Sequence, residues 1–332
     1  MYPTDIVSLN RDLEPFLVQG ASKRCRFFKD LYEPLQFVHC SDAHAVADPW
    51  NRMVEYVNHY KDYISFVLHT GDYCGGSQEQ YVDFYGTCAP CQRPVYNCVG
   101  NHDTFTNMPS PDRPRRKSDK ETVYRMLFNH PDDWDVILPD TPYPTYYYKD
   151  FPQSNFRLIV LDCYYDLSEQ IAWLSALLSE AKQKGVHVIT AMHEPSDQTV
   201  TRPETTFQTI IPYEEICNNA PKSPFEDTLS AFVREGGIHV CNLAGHDHHD
   251  GFGYTAGGVL NSIVECATDW AGWCDGSRVK GTRTYDCFNV CSVDANLGIF
   301  KIIRVGDNCD PYLRAKRVLC YDYVNKKVVY NG

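Results

Sequence analysis

The chain has 332 residues, 43 % of them hydrophobic and 22 % charged, which is enough to bury the core of one large domain or two small ones. A formal net charge of −12 at pH 7 argues against stable nucleic-acid binding through phosphate contacts, since an acidic surface repels that backbone. A local cationic site, such as one made by bound metals, is still allowed.

The N-terminus has no basic segment followed by an apolar run, and no stretch approaches the length of a membrane span, so a cytoplasmic protein without membrane contact is expected. The fifteen cysteines are odd in number, and Cys40, Cys98, Cys163 and Cys241 sit in apolar runs where a reduced thiol packs as a small hydrophobe. Most of them read as free thiols.

Residues 1–34 are polar and mixed, broken by Pro3 and Pro15, and read as a surface lead-in. The first strand-length apolar run, 35–40, ends in Ser41-Asp42-Ala43-His44. Asp48 and Pro49 then form an N-cap and first-turn pair ahead of Trp50, Met53, Val54 and Val57, at helical spacing. Residues 64–69 lead into Thr70-Gly71-Asp72, and 94–99 lead into Gly100-Asn101-His102-Asp103. Ser118 with Glu121 predicts a capping box before Val123, Met126 and Leu127, and Ser223-Pro224 with Glu226 predicts another before Leu229, Phe232 and Val233. Ile171, Leu174, Leu177, Leu178 and Ala181 form a core-facing stripe that Gly185 terminates. Residues 186–192 lead into His193-Glu194-Pro195, and 238–243 lead into Ala244-Gly245-His246-Asp247-His248.

Buried strands that each end in a polar loop are the signature of an α/β sheet, in which ligands gather at the carboxyl ends of the strands. From residue 251 the texture changes to Gly-rich turns and β-prone runs at 285–293, 298–305 and 317–323, read as antiparallel strands completing a second sheet. With no repeat or linker to divide it, the chain reads as one domain, 1–332, with its motifs in 35–250 and a mostly β remainder from 251.

Collected from the strand ends, the polar residues are Asp42, His44, Asp72, Asn101, His102, His193, His246 and His248. Their order and spacing (Asp-x-His, Gly-Asp, Gly-Asn-His-Asp, a lone His, Gly-His-x-His) resemble the calcineurin-like metallophosphoesterase superfamily. Tyr146-Tyr147-Tyr148, Leu158 through Asp162, Gln170 and Trp173-Leu174 also resemble a recurring segment of its bacterial members. The resemblance implies a four-layer α/β/β/α sandwich of two mixed sheets, with a metal site at the carboxyl ends of the strands.

It further implies hydrolysis of a phosphate ester. Two divalent cations about 3.5–4 Å apart acidify a bridging water and neutralise the phosphoryl oxygens. Mixed oxygen and imidazole ligands suit Mn, Fe or Zn. Carried over residue by residue, one metal falls to Asp42, His44, Asp72 and His248, and the second to Asp72, Asn101, His193 and His246, with Asp72 bridging. His102 is then the general acid for the leaving oxygen, and Asp103 holds its ring.

Subfamily patterns narrow the resemblance. The second block reads Gly71-Asp72-Tyr73-Cys74-Gly75-Gly76, without the Asp-Arg-Gly of serine/threonine protein phosphatases and without the metal-binding tyrosine of purple acid phosphatases, whose place Gly75 takes. The broad bacterial type remains, acting on a small phosphorylated substrate. Within it the Asp-x-His first block favours a phosphodiester; a phosphomonoesterase, or a metal-binding scaffold that recognises phosphate without turnover, are the alternatives.

Other signals are weaker. Cys88-Ala89-Pro90-Cys91 has redox or zinc spacing but no second such pair. The run Arg113-Pro114-Arg115-Arg116-Lys117 reads as a solvated loop or as a rim that reaches an anionic substrate. The long segment 196–220, with Arg202, Phe207, Tyr213 and Cys217, is expected to shape the substrate pocket. His249 is a candidate substrate contact or a solvated side chain, and His39, His69 and His239 read as packing residues inside strands.

Overall fold

The structure is a computed structural model and describes residues 6–9, 31–74, 77–105, 117–128, 135–197, 199–201, 208–210, 222–264, 279, 282, 285–306 and 317–332. Its strands in chain order are β1 (Leu35–Cys40), β2 (Val67–His69), β3 (Val95–Asn97), β4 (Tyr147–Phe151), β5 (Phe156–Val160), β6 (His187–Ala191), β7 (Thr199–Thr201), β8 (Gln208–Ile210), β9 (His239–Ala244), β10 (Gly251–Tyr254), β11 (Leu260–Ile263), β12 (Cys287–Asp294), β13 (Ile299–Gly306), β14 (Val318–Asp322) and β15 (Lys327–Asn331). The α-helices are α1 (Ile6–Leu9), α2 (Ala47–His59), α3 (Gln78–Thr87), α4 (Lys120–Leu127), α5 (Leu167–Lys184) and α6 (Glu226–Arg234).

Two mixed sheets result. The first has the order β15-β14-β13-β12-β1-β2-β3 and the second β4-β5-β6-β9-β11-β10-β7-β8. Strands β1, β2 and β3 are mutually parallel, as are β5, β6, β9 and β11. Every motif block therefore follows a parallel strand, and β1, β6 and β9 are buried along their whole length, which is why they read as mainly apolar runs.

Aromatic pairs join the sheets: Phe66 stacks on Phe151 with ring centroids 5.3 Å apart, and Phe252 meets Tyr321 at 5.4 Å. On the first sheet, Trp50 of α2 packs against His69 and against Phe84 of α3. On the second, Leu174 and Leu178 of α5 and Leu229 of α6 close a separate cluster with Ile159 and Val188. Burying side chains of this size stabilises by about 1.5–3 kcal/mol each. Among the described residues no helix is long and apolar enough to cross a membrane.

The structure revises several local expectations. The last strands divide between the sheets: β10 and β11 join the second, while β12 pairs antiparallel with β1 and carries β13 to β15 into the first. The cap of α4 is Asp119, not Ser118, its carboxylate accepting from Thr122 N at 2.7 Å. Neither α2 nor α6 has a side-chain cap; Asp48 and Pro49 lie inside the first turn of α2, and Glu226 bonds instead to Ser230 and Thr255. Gly185 ends α5 as expected, with φ of +65°.

Candidate metal centre

The loops that follow the motif strands turn back sharply, and they do so in a backbone region that side chains avoid. Asp42, His44, Asp72, His246 and His248 all have positive φ, between +44° and +69°. Such conformations cost on the order of 1–3 kcal/mol each and persist only where the surroundings hold them. Here the loops hold one another: Asp42 N donates to Gly71 O, His44 N to Asp72 O, and Gly245 N to His193 O. Glycine permits the close approach: a Cβ at Gly100 would lie 2.1 Å from Asp72 Oδ1, and one at Gly245 1.8 Å from Ser41 Oγ.

Seven side chains expected as ligands converge in two adjoining sets. In the first, His44 Nε2 lies 3.0 Å from His248 Nε2 and 3.9 Å from both Asp42 Oδ1 and Asp72 Oδ2, while His248 Nε2 lies 3.3 Å from Asp42 Oδ1. In the second, Asn101 Oδ1 lies 3.0 Å from His193 Nε2 and 3.2 Å from His246 Nδ1, and His193 Nε2 lies 3.5 Å from Asp72 Oδ2. Asp72 belongs to both. His102 Nε2 lies 4.0 Å from Asp72 Oδ2, and its side chain, 17 % exposed, is the most open of those that approach this carboxylate.

This donor set fits cations. Thr70 O accepts from His193 Nδ1 at 2.6 Å, so in the neutral ring Nε2 carries a lone pair and faces the acceptor oxygen of Asn101. Acceptors that face one another at 3.0 Å need a proton or a metal between them. With a proton there, burial opposes the charge but Asp72, Asp42 and Glu194 outweigh it and push His193 up to about 10. Burial keeps His44 neutral, lowering it to about 4, and lowers His246 as well. Burial also opposes ionisation of Asp42 and Asp72, yet the neighbouring histidines hold both carboxyls below the usual range. His44 and His246, kept neutral beside the ionised Asp42 and Asp72, are in the protonation state that binds metal, and a cation at His193 Nε2 would take the place of its proton.

Asp103 departs from its expected role. It does not hold the His102 ring: Oδ2 accepts from Asp72 N at 2.8 Å and Gly100 N at 2.9 Å, and Oδ1 accepts from Tyr73 N at 2.9 Å. It fastens the loop after β2 to the loop after β3. Sequence reading also gave no part to Thr70, which orients His193, or to the bond from Tyr164 OH to Glu194 Oε1 at 2.7 Å beside that histidine.

The weaker candidates fall outside the cluster. The ten cysteines among the described residues, Cys88 and Cys91 included, are free thiols. The His249 ring turns back onto Asp247 O at 2.9 Å. His39 and His239 are buried against Thr70 and Thr190, and His69 against Trp50 and Tyr73. Arg113 to Arg116 lie outside the described residues, as do Arg202, Phe207, Tyr213 and Cys217; Lys117 is described and donates to Tyr164 O at 3.4 Å. Of 196–220, the described strands β7 and β8 add to the edge of the second sheet beyond β10.

A family profile for calcineurin-like phosphoesterases matches residues 35–250, the span that carries every one of these groups. The chain belongs to that family. No curated protein sequence matches it closely enough to count as a relative. Among solved structures, the chain is similar to a dimetal phosphatase from Danio rerio, with 13 % identity over 82 % of this chain and 96 % of that one at a TM-score of 0.56. It is also similar to GAP50, described as the anchor in the inner membrane complex of Plasmodium, with 11 % identity over 90 % of this chain and 88 % of that one at a TM-score of 0.49. At these identities the first likeness speaks for the family's fold.

Proposed function

We propose that the protein hydrolyses phosphate esters at a pair of divalent cations, with phosphodiesters preferred over monoesters. The observation that carries the reading is the placement of the Asp72 carboxylate between two donor sets, within 3.9 Å of His44 Nε2 on one side and 3.5 Å of His193 Nε2 on the other. Asp42, His44, Asp72 and His248 would hold one cation, and Asp72, Asn101, His193 and His246 the other. Mn, Fe or Zn suits these donors, and when bound the pair supplies Lewis acidity that lowers the pKa of water and offsets phosphoryl charge.

The chain's own groups supply the rest. Only two of the seven donors are carboxylates, so the loaded centre keeps a net positive charge that favours an anionic substrate. His102, the more open imidazole at its edge, holds a proton for the departing oxygen. Its backbone N donates to Asp72 Oδ1 at 2.8 Å, which sets the acid and the shared carboxylate in one fixed relation. The Asp-x-His first block is what favours diesters, a feature common among family members that cleave them.

The test is hydrolysis of bis(para-nitrophenyl) phosphate and para-nitrophenyl phosphate by protein loaded with Mn²⁺, Fe²⁺ or Zn²⁺. Turnover of both, faster on the diester, is expected. Faster monoester turnover overturns the substrate preference. If both esters stay intact with every metal, hydrolysis itself is refuted and a phosphate-binding scaffold is left.

A further inference from the structure

The last donor loop, Gly245 to His248, leaves β9 and enters β10, with His246 at φ +69° and His248 at φ +54°. A backbone in this region returns to ordinary geometry unless both of its ends are fixed. The N-terminal end is fixed by Gly245 N on His193 O and by His246 N on Asp42 Oδ2 at 3.0 Å. The C-terminal end carries Asp250, which forms an ion pair with Arg304. Arg304 belongs to β13 in the opposite sheet, so this contact crosses the sandwich from the β-rich C-terminal part of the chain to the donor loop.

The pair is built to hold a position. Both side chains are at most 2 % exposed, and Arg304 also meets Cys287 Sγ at 3.0 Å. Breaking a buried pair on one side leaves a charge that the interior does not solvate, so the partner is held firmly. Arg304 also lies in a cross-strand row. It is opposite Asn289 on β12, which is opposite His39 on β1, and His39 Nε2 bonds Thr70 Oγ1 at 3.1 Å. Thr70 O then orients His193. A buried polar row thus runs from Asp250 to His193, with the ion pair at one end.

We propose that Arg304 is a positioning residue for the metal centre: through Asp250 it holds His246 and His248 in the geometry that cations require. The inference rests on the metal-centre reading above and extends it to a residue outside the span that the family profile matches. The decisive comparison is calorimetric titration of the metal-free protein with Mn²⁺ alone. R304M and D250N should each weaken Mn²⁺ binding by about tenfold or more, the range seen when groups that orient metal ligands are removed. The double variant D250N/R304M, which removes both charges of the pair together, should lose no more than one single variant does. R304K keeps the charge and should recover most of the affinity.

A control separates positioning from plain stability. Arg52 and Asp286 form another ion pair, at 2.7 Å, between α2 and the residue before β12. R52M should lower the urea midpoint while Mn²⁺ binding stays at the wild-type level. If wild-type protein takes up two Mn²⁺ ions and both R304M and the double variant bind them as tightly, the positioning role is overturned. The same holds if R52M weakens Mn²⁺ binding as much as R304M does. A wild-type protein that takes up no Mn²⁺ overturns instead the metal-centre reading on which the inference rests.

Discussion

Replacing Asp103 separates two roles for one carboxylate. Its oxygens accept from three backbone amides, Asp72 N at 2.8 Å, Gly100 N at 2.9 Å and Tyr73 N at 2.9 Å, all in buried loops. A buried donor left without a partner costs about 1–3 kcal/mol. Asp103→Ala strands three of them and should cost on the order of 3–9 kcal/mol, comparable to the whole stability of many domains. Asp103→Asn keeps the shape and one acceptor oxygen, which can still serve Asp72 N and Gly100 N. Its NH₂ then faces Tyr73 N–H, donor against donor, at a cost of about 1–3 kcal/mol.

Urea unfolding of the metal-free protein measures this order directly, as a midpoint that falls from wild type to the Asn variant to the Ala variant. Mn²⁺ affinity should fall in the same order, since the loops being fastened carry Asp72 and Asn101. A carboxylate whose work is to orient the His102 ring predicts something else: lower kcat with an unchanged urea midpoint. If Asp103→Ala moves the unfolding free energy by less than about 0.5 kcal/mol, as a neutral surface change would, the fastening role is wrong.

Other perturbations address single parts of the site. His102→Ala should keep two Mn²⁺ ions by elemental analysis and lose about 10²- to 10⁴-fold in kcat, whereas a missing ion would place His102 among the ligands. Asn101→Ala should weaken one Mn²⁺ site and spare the other, which a two-site calorimetric fit resolves. Gly100→Ala would put a Cβ 2.2 Å from Asp72 N, and because Asp72 serves both donor sets, uptake of both ions should drop together. Asp162 supplies a pH test away from the donors. Burial, opposed by hydrogen bonds from Thr145 and from the Tyr164 and Tyr165 amides, pushes its carboxyl up to about 7. Since that is above the unfolded value, its contribution to stability is full below about pH 4 and is lost as pH rises through about 7, by up to about 4 kcal/mol. Asp162→Asn should flatten the urea midpoint across this window relative to wild type; an unchanged pH slope contradicts the raised value.

The five strand-to-loop blocks are legible because parallel strands buried on both faces leave continuous apolar runs, and the polar residues that interrupt them stand out. What a strand pairs with is not local information. The runs at 285–293 and 298–305 read as β, yet nothing within them says that β12 lies beside β1, a partner some 250 residues earlier in the chain. Arg304 therefore gives no functional signal, although the fold pairs it with Asp250, two residues beyond His248. Helix caps fail on a smaller scale: Ser118 and Asp119 are both good caps, and one residue of register decides between them.

The contact expected between Asp103 and His102 is absent for a geometric reason. A carboxylate next to a histidine in sequence looks like its partner, but His102 to Thr104 form a 3₁₀ turn, where neighbouring side chains point about 120° apart. His102 stays part exposed at the edge of the donors, and Asp103 is wholly buried against the backbone of the loop after β2. The tightness of the turn is what lets adjacent residues face opposite ways, His102 toward the open edge of the donors and Asp103 toward the loop that carries Asp72. An orienting contact between them would require the turn to unwind, and that would release the Asp103 grip on Asp72 N and Gly100 N.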